Sequence, residues 1–202
     1  DSSGNALNGA VSGATATNAD NNVPVQGGHL MASKSVADLQ SGASFKFDGS
    51  DDKVATEANA VALTSPDYSF SLWVKVDSTG SGVQYLATLG GSWGSTDLEA
   101  GLLLNSGVLK LNSWRHNSDG STTTATDVNI ADDEWHYLVW TVTDGASNST
   151  TKIYIDGVLV KEGTTHSFGS GALGEIRFGH TFTDDYFKGE IRQARLHNRA
   201  LT

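Results

Sequence analysis

The sequence contains no cysteine. Disulfides, thiolate metal sites and a cysteine nucleophile are therefore excluded, while the compartment is left open, since secreted bacterial proteins often lack the residue too. Proline occurs only 2 times in 202 residues. Basic residues are also scarce: 13 Lys and Arg face 23 Asp and Glu, a formal net charge of -10. No basic footprint exists, which argues against nucleic acid and against anionic membrane surfaces. No apolar run approaches the ~18 residues of a membrane span, so no membrane insertion is expected. No signal peptide stands at Asp1. The chain is therefore expected to be a processed piece, or part of a larger multidomain polypeptide.

Catalytic signatures are missing as well. A glycosidic bond must be flanked by two carboxylates. The glutamates are Glu57, Glu99, Glu134, Glu162, Glu175 and Glu190, and they form no E-x-D-x-x-E cluster. No G-x-S-x-G elbow and no H-E-x-x-H is present; Asp132-Asp133-Glu134-Trp135-His136 has one His and the wrong order. The expectation is a protein that is not an enzyme.

What is present points to strands and turns. Gly occurs 23 times, and Ser, Thr, Asn and Asp are frequent. In YSFSLWVKV, Phe70, Leu72, Val74 and Val76 share one face, and Ser71, Trp73 and Lys75 the other. AGLLLNSGVLKLN reads as a hairpin. KIYIDGVLV is another, because Asp156-Gly157 supplies the positive φ angles of a type I′ turn. EWHYLVWTVT is apolar on both faces and is expected to sit centrally between two covering layers. Trp73, Trp135 and Trp140 are read as core. ASFKFDG, EIRFG and GEIRQARLH complete the strands, and DSSGNALNGAVSGA reads as turns around a short one. No helical period is convincing. The expected fold is all-β: a two-sheet antiparallel sandwich formed by residues 1–202 as a single domain.

The ordered pieces DSSGNALNGAVSGA, FKFDGSDDKV, FSLWVKV, DDEWHYLVWTV, KIYIDGVLV, IRFG and FKGEIRQARLHNRALT together resemble the laminin-G-like, concanavalin A-like lectin/glucanase family. The resemblance implies a jelly roll with a concave and a convex sheet. It also implies calcium-assisted recognition of glycans outside the cell, in a secreted or surface-attached bacterial protein such as an adhesin. An accessory module of a polysaccharide-degrading enzyme and a structural adhesin domain are the alternatives. The sequence departs from the family at two places. The family usually has a strand before the DSSGN-like segment and none is present in this sequence; the open readings are that it lies upstream, is contributed from elsewhere or is absent. The acidic pair that usually follows the Ile of the last strand is replaced by Arg192 and Gln193.

By that resemblance, the loops holding Asp97 and Asp184-Asp185 meet at one end of the concave sheet. Their carboxylates, with carbonyls and waters, would then complete the six to eight oxygens that Ca²⁺ takes. Adjacent like charges such as Asp184-Asp185 need a reason, and a cation is one; the other reading is a polar hairpin tip. Asp1, Asp48, Asp51 and Asp52 form a rival acidic cluster; Asp48-Gly49-Ser50-Asp51-Asp52 is read as a polar bend between strands, the other reading being a second metal site. Trp93 among Gly and Ser, and Trp114 beside Arg115 and His116, are candidates for stacking on sugar while their polar neighbours bond hydroxyls. The other reading places both rings at the edge of the core. His180 stands where it can reach a ligand. His136 is read as a structural histidine.

Overall fold

The computed structural model describes residues 9–12, 15–17, 44–56, 62–63, 65–90, 98–115, 121–144, 149–165, 171–172, 175–180 and 185–202. These residues form strands and no helix. In chain order the strands are β1 (Gly9–Ser12), β2 (Thr15–Thr17), β3 (Ser44–Asp48), β4 (Lys53–Thr56), β5 (Ala62–Leu63), β6 (Tyr68–Val76), β7 (Val83–Gly90) and β8 (Leu98–Asn105). There follow β9 (Val108–Arg115), β10 (Ser121–Asn129), β11 (Trp135–Thr143), β12 (Ser149–Ile155), β13 (Val158–Thr165), β14 (Gly171–Ala172), β15 (Glu175–Phe178) and β16 (Lys188–His197).

Two sheets build the expected antiparallel sandwich. The first runs β1-β4-β15-β7-β8-β9-β10 and the second β13-β12-β11-β6-β16-β3-β2. The pairings are antiparallel throughout. Period-two alternation decides which side chains enter the space between the sheets. From β6 these are Tyr68, Phe70, Leu72, Val74 and Val76; from β11 they are Leu138, Trp140 and Val142, all fully buried. Trp140 meets Tyr68 and Phe70 edge-on, with ring centres 5.7 and 6.4 Å apart, an arrangement that aromatic quadrupoles favour. Leu86, Leu89, Leu102, Leu104, Leu109 and Leu111 line the opposite sheet.

The turns follow local chemistry. Asp156 and Gly157 have φ of 52° and 82°, and Ser106 and Gly107 have 51° and 82°. Both φ angles are positive at each tip, as the two-residue hairpins require.

One expectation needs correcting. β11 lies inside its sheet, between β6 and β12, yet only one of its faces is core. Trp135, Tyr137 and Val139 lie on the outer face and are half-buried. Trp73 pairs with Tyr137 in register and shares that face. Trp140 is core; Trp73 and Trp135 are not. Their half-burial comes from one another and from β16, and among the described residues no second layer covers them.

Candidate ligand-binding end and outer face

Strand direction sorts the connections into two ends. β6, β8, β10, β12 and β15 finish at one end, where β7, β9, β11, β13 and β16 begin. At that end, residues 49–52 carry the chain from β3 in the second sheet to β4 in the first, and residues 179–187 carry it back from β15 to β16. β4 pairs with β15, and β3 with β16. The described parts of the two crossings, residues 49–52 and residues 179–180 with 185–187, therefore lie side by side. Two acidic groups that the sequence presented as rivals, Asp184-Asp185 and Asp48 to Asp52, belong to neighbouring connections.

Local contacts bind these connections together. Gly179, with φ of 85°, has no room for a side chain: a Cβ there would run into the Phe47 ring and lie 3.1 Å from the Asp52 carbonyl oxygen. Gly179 N–H donates to Leu86 O and Phe187 N–H to Gly179 O, at 3.2 and 2.8 Å. Tyr85 N–H donates to Asp185 O at 3.3 Å. Lys188 donates from its backbone N–H to Gln84 Oε1 at 2.9 Å, and its Nζ lies 3.5 Å from Asp77 Oδ2. Next to Asp185, the rings of His180 and Tyr186 stack with centres 6.3 Å apart.

Asp48, Asp51 and Asp52 each place a carboxylate oxygen within 4.8 Å of the others. Asp52 Oδ2 accepts from Asp48 N–H, and Asp48 Oδ1 accepts from Ser50 N–H, both at 2.7 Å. These bonds give the bend its shape. Burial of Asp52 raises its pKa above the ordinary value; the charges of Asp48 and Asp51 add to the rise and the Asp48 N–H opposes it.

His136 is satisfied, as expected. Its Nδ1 lies 2.7 Å from Asp156 Oδ2 and its Nε2 3.2 Å from Asp132. The ring thereby ties the start of β11 to the β12–β13 hairpin.

On the outer face of the second sheet, next to this end, the Arg192 guanidinium lies over two rings. Its Cζ is 4.1 Å from the centre of Trp135 and 5.5 Å from that of Trp73. Trp73 in turn leans on Tyr137, with centres 5.2 Å apart. Arg192 immediately precedes a bulge, in which Gln193 takes a φ of 51° and the register with β6 shifts. Bulges re-aim side chains in this way. Sequence reasoning missed this aromatic face because bulky rings in periodic strands were assigned to the core. The signal was present: Trp73 shares its face with the polar Ser71 and Lys75, and Trp135 shares its face with Tyr137.

The remaining sequence candidates fall into two groups. Trp93, Asp97, His116 and Asp184 lie outside the described residues. Gly90 and Leu98, which flank the segment carrying Trp93 and Asp97, stand at the far end of β7 and β8 from Tyr85. β7 separates the two ends by roughly 20 Å. The expected meeting of Asp97 with Asp184 and Asp185 turns on Asp97 and Asp184, residues outside those described. Trp114 and Arg115 lie on β9, opposite Glu99 and Leu98, also at the far end.

The sequence model of a family described as the concanavalin A-like lectin/glucanases superfamily matches residues 48–202. No curated protein matches the sequence. Among solved structures, domain 4 of AbnA, a GH43 extracellular arabinanase from Geobacillus stearothermophilus, in complex with arabinotriose, is similar at 25% identity and a TM-score of 0.62, over 80% of this chain and 73% of that one. A heptameric SAP-like pentraxin from Limulus polyphemus is similar at 16% identity and a TM-score of 0.55, over 78% and 76%. Domains LG4-5 of the mouse laminin alpha1 chain are similar at 13% identity and a TM-score of 0.58; 78% of this chain corresponds to 42% of that one.

Proposed function

Since the chain belongs to the concanavalin A-like lectin/glucanases superfamily, we propose that it is a non-catalytic carbohydrate-binding domain that works outside the cell. The observation that carries this reading is the likeness to the arabinanase domain in complex with arabinotriose, at 25% identity over 80% of the chain. The same likeness favours an accessory module of a polysaccharide-acting protein over an adhesin. The outer face supports it chemically. Sugars present apolar C–H faces that stack on aromatic rings, and Trp73, Trp135 and Tyr137 lie together there, half-buried.

Calcium is part of the proposal. The chemistry of the donors suits it: Asp48, Asp51 and Asp52 converge, and Asp185 lies on the neighbouring connection. Hard carboxylate oxygens are what Ca²⁺ takes. Its role would be to hold the two crossings in place beside the aromatic face.

The test is a panel of poly- and oligosaccharides, assayed with calcium and with chelator. Binding of at least one polysaccharide, without release of reducing ends, is expected. Failure to bind any carbohydrate overturns the reading, and so does turnover that a single Glu→Gln change abolishes.

A further inference from the structure

On the outer face of the second sheet, charge runs against the rest of the chain. The protein carries a net -10. Yet Lys46, Lys75, Arg192 and Arg195 project from this face on β3, β6 and β16. Glu190 lies opposite Lys46 and Lys75 in register. It makes no ion pair with either, and its carboxylate accepts a hydrogen bond from Ser44 Oγ. None of the four cations has an ion-pair partner among the described residues. Arg192 is the most constrained of them. Its Nε is buried without a hydrogen-bond partner, and its guanidinium plane is held by Trp135 and Trp73. Such a stack fixes the orientation of the fork and spares the N–H edge for an acceptor. Arg192 also stands where the resemblance led one to expect an acid, so its charge is a feature of this chain and not of the family pattern.

We infer that this face binds a carboxylate-bearing polysaccharide, with the sugar ring seated against the Trp73, Trp135 and Tyr137 cluster and its carboxylate paired to the Arg192 guanidinium. The inference rests on the carbohydrate-binding reading and narrows it to acidic sugars. A planar carboxylate matches the planar guanidinium in a bidentate manner, which a hydroxyl does not. Lys75 and Lys46 stand on the strands either side of β16, about 9–10 Å apart across Glu190, and extend the attraction along a polyanion. This contribution is screened by salt.

The experiment compares binding of polygalacturonate, its methyl ester and neutral arabinan by calorimetry, with dextran sulfate as a second polyanion. The unmodified protein is expected to bind polygalacturonate about tenfold or more tightly than its methyl ester, and Arg192→Gln to abolish that preference. Arg192→Lys keeps the charge without the fork and should retain only part of the preference. The preference is a ratio within one protein, so partial loss of fold does not mimic the result. If Arg192→Gln does not fold, the Arg192→Lys ratio and the ratio in the unmodified protein decide. Equal affinity for acid and ester overturns the inference, as does a preference unchanged in Arg192→Gln. Tighter binding of dextran sulfate than of polygalacturonate overturns it too, showing a general anion patch. Binding of arabinan alone leaves the carbohydrate reading intact and sinks this one. Binding of none of the polymers sinks both.

Discussion

The guanidinium carbon of Arg192 rests 4.1 Å from the centre of the Trp135 ring, on a face of the sandwich that is not its core. A ring in this position contributes less to folding than one between the sheets. Trp140→Ala should cost about 3–5 kcal/mol, as large-to-small core changes do. Trp135→Ala should cost only about 1–2 kcal/mol, the loss of partial burial and of one cation–π contact, while weakening glycan binding strongly. Urea denaturation of both variants gives the comparison. Equal losses would return Trp135 to the core.

Gly179 should tolerate no side chain. Its φ of 85° is costly for an L residue, and a Cβ there would strike the buried Phe47 ring. Gly179→Ala combines backbone strain with overpacking, each on the order of 1–3 kcal/mol. A loss of about 2–4 kcal/mol is expected, together with a change in the neighbouring bend of Asp48 to Asp52. A thermal melt within a degree or two of the parent would show that the crossing is free to shift.

Two histidines set opposite slopes on the stability–pH curve. For His136, burial alone would lower the pKa, but hydrogen bonds to Asp156 and Asp132 and their charges outweigh it, and the net direction is up from 6.5. A raised folded pKa favours folding below 6.5, and that contribution is lost as pH rises through the raised value. For His197, burial and the charges of Arg199 and Arg195 push the pKa down from 6.5. That shift disfavours folding as pH falls below 6.5. Asp132 and Asp156 are lowered from 3.8, so their contribution is complete above 3.8 and is lost as pH falls through their folded values. Stability should peak near pH 6.5. His136→Gln should flatten the alkaline limb and leave the limb due to His197. Denaturant midpoints between pH 5 and 9 would reveal it, and an unaltered alkaline limb in the variant would refute the assignment.

Much of this fold was legible because a strand's period is two. Phe70, Leu72, Val74 and Val76 declared the core face of β6 without any tertiary information, and Asp156-Gly157 declared its hairpin. The aromatic face was less legible. Hydrophobicity reports that Trp73 and Trp135 prefer partners, but not whether the partner is the opposite sheet or a guanidinium from β16. Arg192 was visible only as a departure from an expected acid. The relation between Asp97 and Asp185 depends on which end of the sandwich each connection occupies. That is fixed by strand direction, which sequence distance does not report. The closeness of the 49–52 and 179–187 crossings likewise follows from the pairing of β3 with β16 and β4 with β15, contacts between residues more than a hundred positions apart.

Calcium gives the last prediction. The bend of Asp48 to Asp52 gathers three carboxylates, one of them buried, and burial together with the neighbouring charges opposes ionisation of Asp52. A divalent cation would relieve that repulsion. It would also draw in Asp184 and Asp185 from the adjacent crossing, which is pinned by Gly179 and Lys188. A ligand that binds only the folded state stabilises it by about 2.7 kcal/mol at a hundredfold excess over its Kd. Millimolar Ca²⁺ should therefore raise the melting temperature, and chelation should reverse the gain. Asp184→Asn with Asp185→Asn should reduce the gain, and Asp52→Asn should reduce it further if the two crossings share one ion. A melt indifferent to Ca²⁺ in the unmodified protein would leave the bend as a hydrogen-bonded turn that needs no metal. A calcium response intact in the 184/185 variant but lost in Asp52→Asn would assign the ion to the bend alone, and the 179–187 crossing would then present no ligand of its own.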